Sequence, residues 1–118
     1  MFPREQRLRR RKDIARVLKQ GRRFSNNLLV FRTAPSKMIG PRVTVVVSVA
    51  VAKRATVRNR LKRQVRHLLR QELQDRDVLG RGVDLMVSPR VAILREPKEV
   101  RQRALRELLS RIYPPTKH

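Results

Sequence analysis

The chain has 118 residues, which is enough for one domain with a single modest core. Its 31 lysines and arginines against 9 acidic residues give a formal net charge of +22, which favours a polyanionic partner such as nucleic acid. Cysteine is absent, so disulfides and thiolate metal sites are excluded. No apolar run approaches the ~20 residues of a membrane span, and no apolar signal segment opens the chain, so a cytoplasmic protein is expected.

Basic residues are concentrated in an N-terminal segment, residues 1–12. Arginines dominate there and along the whole chain, and the planar guanidinium binds phosphate in bidentate fashion and stacks on bases, which suits RNA. The arginines of this segment are Arg4, Arg7, Arg9, Arg10 and Arg11. A free basic arm is one interpretation of such a terminus.

A short helix is predicted to follow. Asp13 is placed to act as its N-cap, the helix reaches Gln20, and Gly21 ends it. The side chains expected to face inward are Ile14, Val17 and Leu18.

Strands are predicted next. Arg22 to Thr33 indicates one or two strands, with Leu28, Val30 and Arg32 on one face and Leu29, Phe31 and Thr33 on the other. Ala34 to Pro41 contains two prolines and a glycine, which indicates a loop. Arg42 to Val51 has a valine at every second position, which is the clearest strand signal in the chain.

The stretch from Lys53 to Arg70 is predicted to be an amphipathic helix with Thr56 as its N-cap. Its apolar residues have the spacing of one buried stripe. They are Val57, Leu61, Val65, Leu68, Leu69 and Leu73. The opposite face carries Asn59, Arg60, Lys62, Arg63, Arg66 and Arg70, with Arg58 near the border.

The charge on this helix is of one sign. A merely solvated face would mix acids and bases, because like charges four residues apart repel. Here no acidic residue stands between Arg54 and Gln71. An external polyanion would relieve this repulsion, so the helix is predicted to bind nucleic acid.

The rest of the chain is predicted to alternate loop, strand and helix. Gln74 to Gly82 is a helix exit and loop, and Val83 to Ser88 is a short strand. A last helix begins at Glu96-Pro97 and ends before Pro114. The fold class is therefore α/β, more closely an α+β two-layer sandwich of element order α-β-β-(β)-α-β-α. It forms a single RNA-binding domain, residues 1–118, with a C-terminal tail at 113–118.

Catalytic groups are scarce in the sequence. His67 and His118 are the only histidines, and no carboxylate cluster suggests a two-metal nuclease. Asp75 and Asp77 fall in an expected surface loop. A role that binds RNA without protein catalytic groups is therefore favoured, and His67 is interpreted as a surface or RNA-contact residue.

Arg58-Asn59-Arg60 followed by Leu61-Lys62-Arg63 resembles the RNRxKR signature of the protein subunit of bacterial ribonuclease P. The signature stands on a basic helix after a valine-rich strand, and the family's layout can be followed from about Phe2 to Ile112. The resemblance implies the ribosomal-protein-S5-domain-2-like fold with a left-handed βαβ crossover. It also implies that the N-terminal segment lies against the body near the RNA.

The resemblance implies two groups of site residues. One group binds RNA: Arg54, Arg58, Asn59, Arg60, Lys62, Arg63, Arg66, Arg70, Arg9, Arg10 and Arg11. The other lines a cleft for the 5′ leader of precursor tRNA: Ile14, Leu18, Val30, Arg32, Ser88 and Arg90. Aromatic residues often occupy the positions of Ile14 and Leu18 in the family, so base stacking there is lost in this chain.

The function implied by the resemblance is assistance in the endonucleolytic removal of the 5′ leader. The RNA subunit would hold the catalytic centre and its magnesium, and the protein itself would bind no cofactor. The implied partners are the ribonuclease P RNA and precursor tRNA, with no membrane and no obligate protein partner. The alternatives are a ribosomal or other structural RNA-binding protein and, less favoured by the missing acid cluster, a self-sufficient nuclease.

Overall fold

The structure, a computed structural model, describes residues 7–8, 10–36, 40–74 and 82–113. The helices are α1, Arg11–Gln20, α2, Ala55–Gln74, and α3, Lys98–Ile112. The strands are β1, Arg22–Ser25, β2, Leu29–Pro35, β3, Pro41–Val45, and β4, Val83–Pro89. A 3-10 helix, Val91–Arg95, stands between β4 and α3.

The four strands form one mixed sheet in the order β1-β2-β4-β3. β2 is antiparallel to both of its neighbours, and β3 is parallel to β4. Helix α2 connects these two parallel strands, so β3-α2-β4 is the crossover unit of the fold. The predicted α+β class and the predicted order of the elements are confirmed, while the hand of the crossover stays a prediction.

The two faces of the sheet are covered unequally. Alternate side chains of β2, β3 and β4 point toward α2 and α3, where Phe31, Val45 and Leu85 belong to the main core. On the opposite face α1 packs Val17 against Met86 in a smaller cluster. Of the described residues on this face, Val30, Arg32 and Ser88 are half-buried.

The N-terminal segment lies against the body at Arg7 and Leu8. The backbone N–H of Leu8 donates to the carbonyl of Val43 at 2.9 Å, and Arg7 forms a parallel bridge with Val43. Leu8 is buried in the smaller cluster beneath α1. At these two residues the free-arm interpretation is wrong, because an apolar side chain and a backbone hydrogen bond hold the segment on β3.

The predicted N-caps of two helices are wrong. Asp13 lies within the first turn of α1, which begins two residues earlier, and Asp13 pairs with Arg42 instead. Thr56 is the second residue of α2. Leu18, predicted to face inward, is 49% exposed. It follows Val17 by 100° around the helix, and Val17 is the residue that faces the sheet, so Leu18 lies at the edge of the contact.

Gly21 allows α1 to turn directly into β1. A β-carbon there would overlap the carbonyl oxygen of Val17 and lie 2.9 Å from that of Thr33. Its φ of -72° is one that any residue adopts. The glycine is therefore required by the close approach of two backbone segments.

The valine-rich strand is shorter than predicted, since β3 ends at Val45. The N–H of Val46 still donates to the Val87 carbonyl, and then the chain leaves β4. The carbonyl of Ser48 accepts a hydrogen bond from Val51, which closes a turn and leaves Val49 62% exposed. The alternating valine pattern therefore continues past the end of β3, where the chain no longer pairs with β4.

The C-terminal elements also differ from the prediction. The 3-10 helix was not predicted, and Pro97 is the N-cap of α3 instead of its first-turn residue. Tyr113 is buried in the main core, so it belongs to the body and not to the tail. The predicted loop acids Asp75 and Asp77, as well as Pro114-Pro115, lie outside the described residues.

Candidate nucleic-acid interface

Helix α2 separates an apolar face from a basic face, as predicted. Leu61, Val65, Leu68, Leu69 and Leu73 are buried. The outward residues are Asn59, Arg60, Arg63 and Arg70, which are exposed, and Lys62 and Arg66, which are half-buried at the margin. Burial of the leucine and valine stripe therefore fixes which side of α2 carries the basic residues, and Arg60 and Arg63 lie on its exposed part.

Arg58, the first residue of the RNR triplet, is engaged with the backbone. Its Nη1 donates to the carbonyl of Ala52 at 2.9 Å and to that of Lys53 at 2.7 Å. These bonds hold the loop that enters α2, next to the exposed Arg54. Arg58 therefore shapes the loop, and the exposed basic residues beside it are better placed to contact RNA.

Glu72 interrupts the apolar stripe of α2 and was not predicted as a structural residue. It is 3% exposed, and its carboxylate accepts hydrogen bonds at 3.0 Å from Nε and Nη2 of Arg106 and from Nε2 of Gln102. A buried carboxylate is stable only when it is paired and hydrogen-bonded. This contact ties α2 to α3 and so helps to hold the basic face in place. A glutamate within an apolar stripe was the signal that could have found it.

Asp84 on β4 was also missed and is completely buried. Its Oδ1 accepts from Nε of Arg42 at 2.8 Å, and its Oδ2 accepts from Nη2 of the same arginine at 2.7 Å. Arg16 of α1 donates to Oδ2 as well, and its other terminal nitrogen bonds the Pro35 carbonyl at 2.6 Å. Asp13 completes the cluster by accepting from Nη1 of Arg42 at 3.2 Å.

This cluster docks α1 on the sheet. Hydrogen bonding to Asp84 raises the pKa of Arg42 above its ordinary value, against the lowering effect of burial. The guanidinium therefore stays charged wherever the fold is present. Since the apolar contacts of α1 are few, the ion pairs of Arg16 and Asp13 determine where this helix sits.

The predicted leader-cleft residues of the sheet are neighbours. Val30 pairs with Ser88, and Arg32 pairs with Met86 one row further along the same face. That face is the one on which α1 lies, and all three predicted residues are half-buried. Arg90 follows β4, is exposed, and its N–H donates to the Leu28 carbonyl at 2.8 Å.

The two residues of α1 that were predicted to line the cleft are aliphatic. Ile14 is half-buried against the cluster that contains Met86, and the exposed Leu18 lies one turn further along the same helix. At the other end of α1, Arg10 and Arg11 are exposed, while Arg9 lies outside the described residues. Helix α1 thus lies on the sheet face that carries Arg32, and the cleft itself stays a prediction.

Within residues 7–8, 10–36, 40–74 and 82–113, no group of three or more histidine and acidic side chains is arranged to hold a metal ion. In the same part of the chain, no helix combines the length and the apolar character needed to cross a bilayer.

Comparisons with known proteins agree with one another. The Ribonuclease P family model matches residues 2–113. The ribonuclease P protein component of Cyanothece sp. is 32% identical over 126 residues, covering 93% of this chain and 94% of the relative. The solved ribonuclease P protein of Thermotoga maritima superposes with a TM-score of 0.77 at 30% identity, covering 89% of this chain and 96% of that one. The Staphylococcus aureus protein, at 22% identity and a TM-score of 0.78, supports the fold, covering 91% and 94%.

Proposed function

Because the chain belongs to the ribonuclease P protein family, we propose that the outward face of α2 binds the ribonuclease P RNA and that the cleft beside α1 binds the 5′ leader of precursor tRNA. Membership makes the chain a protein subunit of a tRNA-processing nuclease ribonucleoprotein, with the ribonuclease P RNA as its partner. The family match over residues 2–113 leaves no support for the alternative of a ribosomal protein.

The observation that carries this proposal is the outward face of α2, whose charged residues are all basic. Its basic residues are held in place by a buried stripe and by the pairing of Glu72 with Arg106. Each phosphate that such a face neutralises releases counterions, so binding gains free energy. Arginine side chains also bind phosphate oxygens in bidentate fashion.

We place the catalytic centre and its magnesium in the RNA subunit. Buried acids of this chain already serve as structural partners, since Asp84 accepts from two arginines and Glu72 from Arg106 and Gln102. A carboxylate saturated in this way is poorly placed to coordinate a catalytic metal. The protein would instead position the substrate and neutralise phosphate charge, which lowers the magnesium concentration that the RNA requires.

Leader binding is proposed to depend on arginine more than on stacking. An aromatic side chain contributes about 1–3 kcal/mol per stacked base, and aliphatic residues such as Ile14 and Leu18 recover only part of this. The proposed cleft also contains two arginines, the half-buried Arg32 on the sheet face where α1 lies and the exposed Arg90 after β4. Contacts from these two side chains to leader phosphates would replace the missing stacking.

Arg32→Ala and Arg90→Ala are each expected to weaken the binding of precursor tRNA with a long leader by about five- to tenfold. Binding of a substrate with a one-nucleotide leader should stay nearly unchanged, because the missing contacts lie along the leader. Equilibrium binding to the reconstituted holoenzyme measures both. Arg103→Ala, which removes an exposed arginine of α3, is the matched control.

Equal losses on long and short leaders would place Arg32 and Arg90 outside the leader path. Such a result would overturn the cleft assignment and leave the assignment of α2 to the RNA subunit intact.

A further inference from the structure

A groove of about 390 Å³ lies between α2 and the start of α3, outside both proposed sites. Its volume is in the range of ligand pockets, roughly 300–1,000 Å³, so a nucleobase with its ribose fits. The residues that line it are Gln64, His67, Leu68, Glu96, Lys98 and Arg101. His67 also belongs to the exposed surface of α2, so the groove continues the proposed RNA-binding face.

Arg101 is fixed in the wall of this groove. Its Nε donates to the Ile93 carbonyl at 2.9 Å, and its Nη1 donates to Oε1 of Gln64 at 2.8 Å. These two bonds tie the guanidinium to the 3-10 helix and to α2. Because the plane of the group is already held, little side-chain entropy is lost when a base stacks on it.

The other groove residues provide a ring, an apolar surface and a charge. His67 is exposed and carries an imidazole, which is a stacking group for bases. Leu68 is nearly buried and offers an apolar surface below. Lys98 is the first residue of α3 and adds a cation at the groove's edge. The set suits the planar, apolar base and the anionic phosphate of one nucleotide.

We propose that the groove between α2 and α3 binds one unpaired nucleotide of an RNA strand, with the base next to His67 and Arg101 and the phosphate at Lys98. The inference rests on the proposed function, because the strand reaches the groove from the α2 face. Lys98 and Arg101 outweigh Glu96 in the lining, which favours an anionic ligand. The stacking surfaces of His67 and Arg101 favour RNA over an acidic peptide, because only RNA offers a planar base. His67 and Arg101 of the groove would also provide stacking surfaces for a base, which the aliphatic Ile14 and Leu18 of the proposed leader cleft do not.

The test uses His67→Ala, His67→Phe and Lys98→Ala in the full chain, with Arg103→Ala as the control for loss of charge on α3. Affinity for a bacterial ribonuclease P RNA is measured at several salt concentrations, and the melting temperature of each variant checks the fold. His67→Ala should weaken binding about fivefold or more, with an unchanged salt slope, because stacking releases no counterions. His67→Phe should retain wild-type affinity, and Lys98→Ala should reduce the salt slope by about one.

A second arm identifies the source of the nucleotide. Binding of precursor tRNA to holoenzymes assembled with each variant is measured after the RNA subunit is saturated. Weaker binding of the RNA subunit by His67→Ala would assign the nucleotide to that RNA. Weaker binding of precursor tRNA alone would assign the nucleotide to the precursor tRNA. Either result supports the proposal.

Wild-type affinity of His67→Ala in both arms would overturn the proposal, as would a His67→Phe variant as weak as His67→Ala. The proposed function can be distinguished from this failure by the outward arginines of α2. If their replacement weakens RNA binding while His67→Ala does not, the groove is not an RNA site and α2 remains one.

Discussion

Replacing Arg60, Arg63 and Arg66 together by alanine is expected to weaken binding of the ribonuclease P RNA by about 100-fold and to reduce the salt slope by up to about three units. The three side chains lie on the outward part of α2, where the buried stripe directs them into solvent or to its margin. Each contact with a phosphate releases a condensed counterion, so each lost contact lowers the slope by at most about one.

Filter binding or fluorescence anisotropy across a range of salt concentrations measures this effect. The fold should be retained, because none of the three arginines belongs to the buried core. Arg103→Ala controls for the general loss of positive charge. An unchanged salt slope in a variant with a native melting temperature would mean that α2 does not neutralise phosphates of the RNA.

Asp84→Ala is expected to lower the free energy of unfolding by about 3–5 kcal/mol. The carboxylate is fully buried and accepts hydrogen bonds from Arg42 and Arg16. When the Asp84 carboxylate is removed, the guanidinium of Arg42 remains largely buried. Among the described residues, Asp13 is then the remaining carboxylate partner of Arg42. Arg42 would lose its bidentate partner and keep one hydrogen bond to Asp13, so its charge would be poorly compensated in a largely buried position. Such a charge costs far more than the intact pair contributes, so the change should be large.

Denaturant unfolding followed by circular dichroism measures the change in free energy. Glu107→Ala is the matched control, since Glu107 pairs with Arg111 at 3.4 Å on an exposed surface, where such pairs contribute little. A decrease below about 1 kcal/mol for Asp84→Ala, similar to the control, would show that the cluster does not hold α1 on the sheet.

The parts of the fold that sequence predicted are those that depend on local periodicity. The stripe from Leu61 to Leu73 predicted both faces of α2, and the alternating valines located β3. The same alternation overestimated the length of that strand. Val49 continues the valine pattern but lies beyond β3, whose pairing with β4 ends at Val45 and Val87.

The structural acids could not be predicted in the same way. Asp84 is 42 residues from Arg42 and 68 from Arg16, and Glu72 is 34 from Arg106, so only the tertiary fold brings these partners together. For Arg58 the sequence motif suggested a functional role, but the structure shows a structural one. Its motif suggested RNA binding, yet its Nη1 bonds the carbonyls of Ala52 and Lys53, which periodicity does not reveal.

The most direct test of the proposed function is reconstitution of the purified chain with a bacterial ribonuclease P RNA and precursor tRNA at a magnesium concentration too low for the RNA alone. We predict cleavage at the 5′ end of the tRNA when RNA and protein are combined, and no cleavage by the protein alone. Cleavage by the protein without RNA would contradict a catalytic centre in the RNA. Failure of the folded protein to stimulate the RNA would contradict the proposed roles of α2 and the cleft.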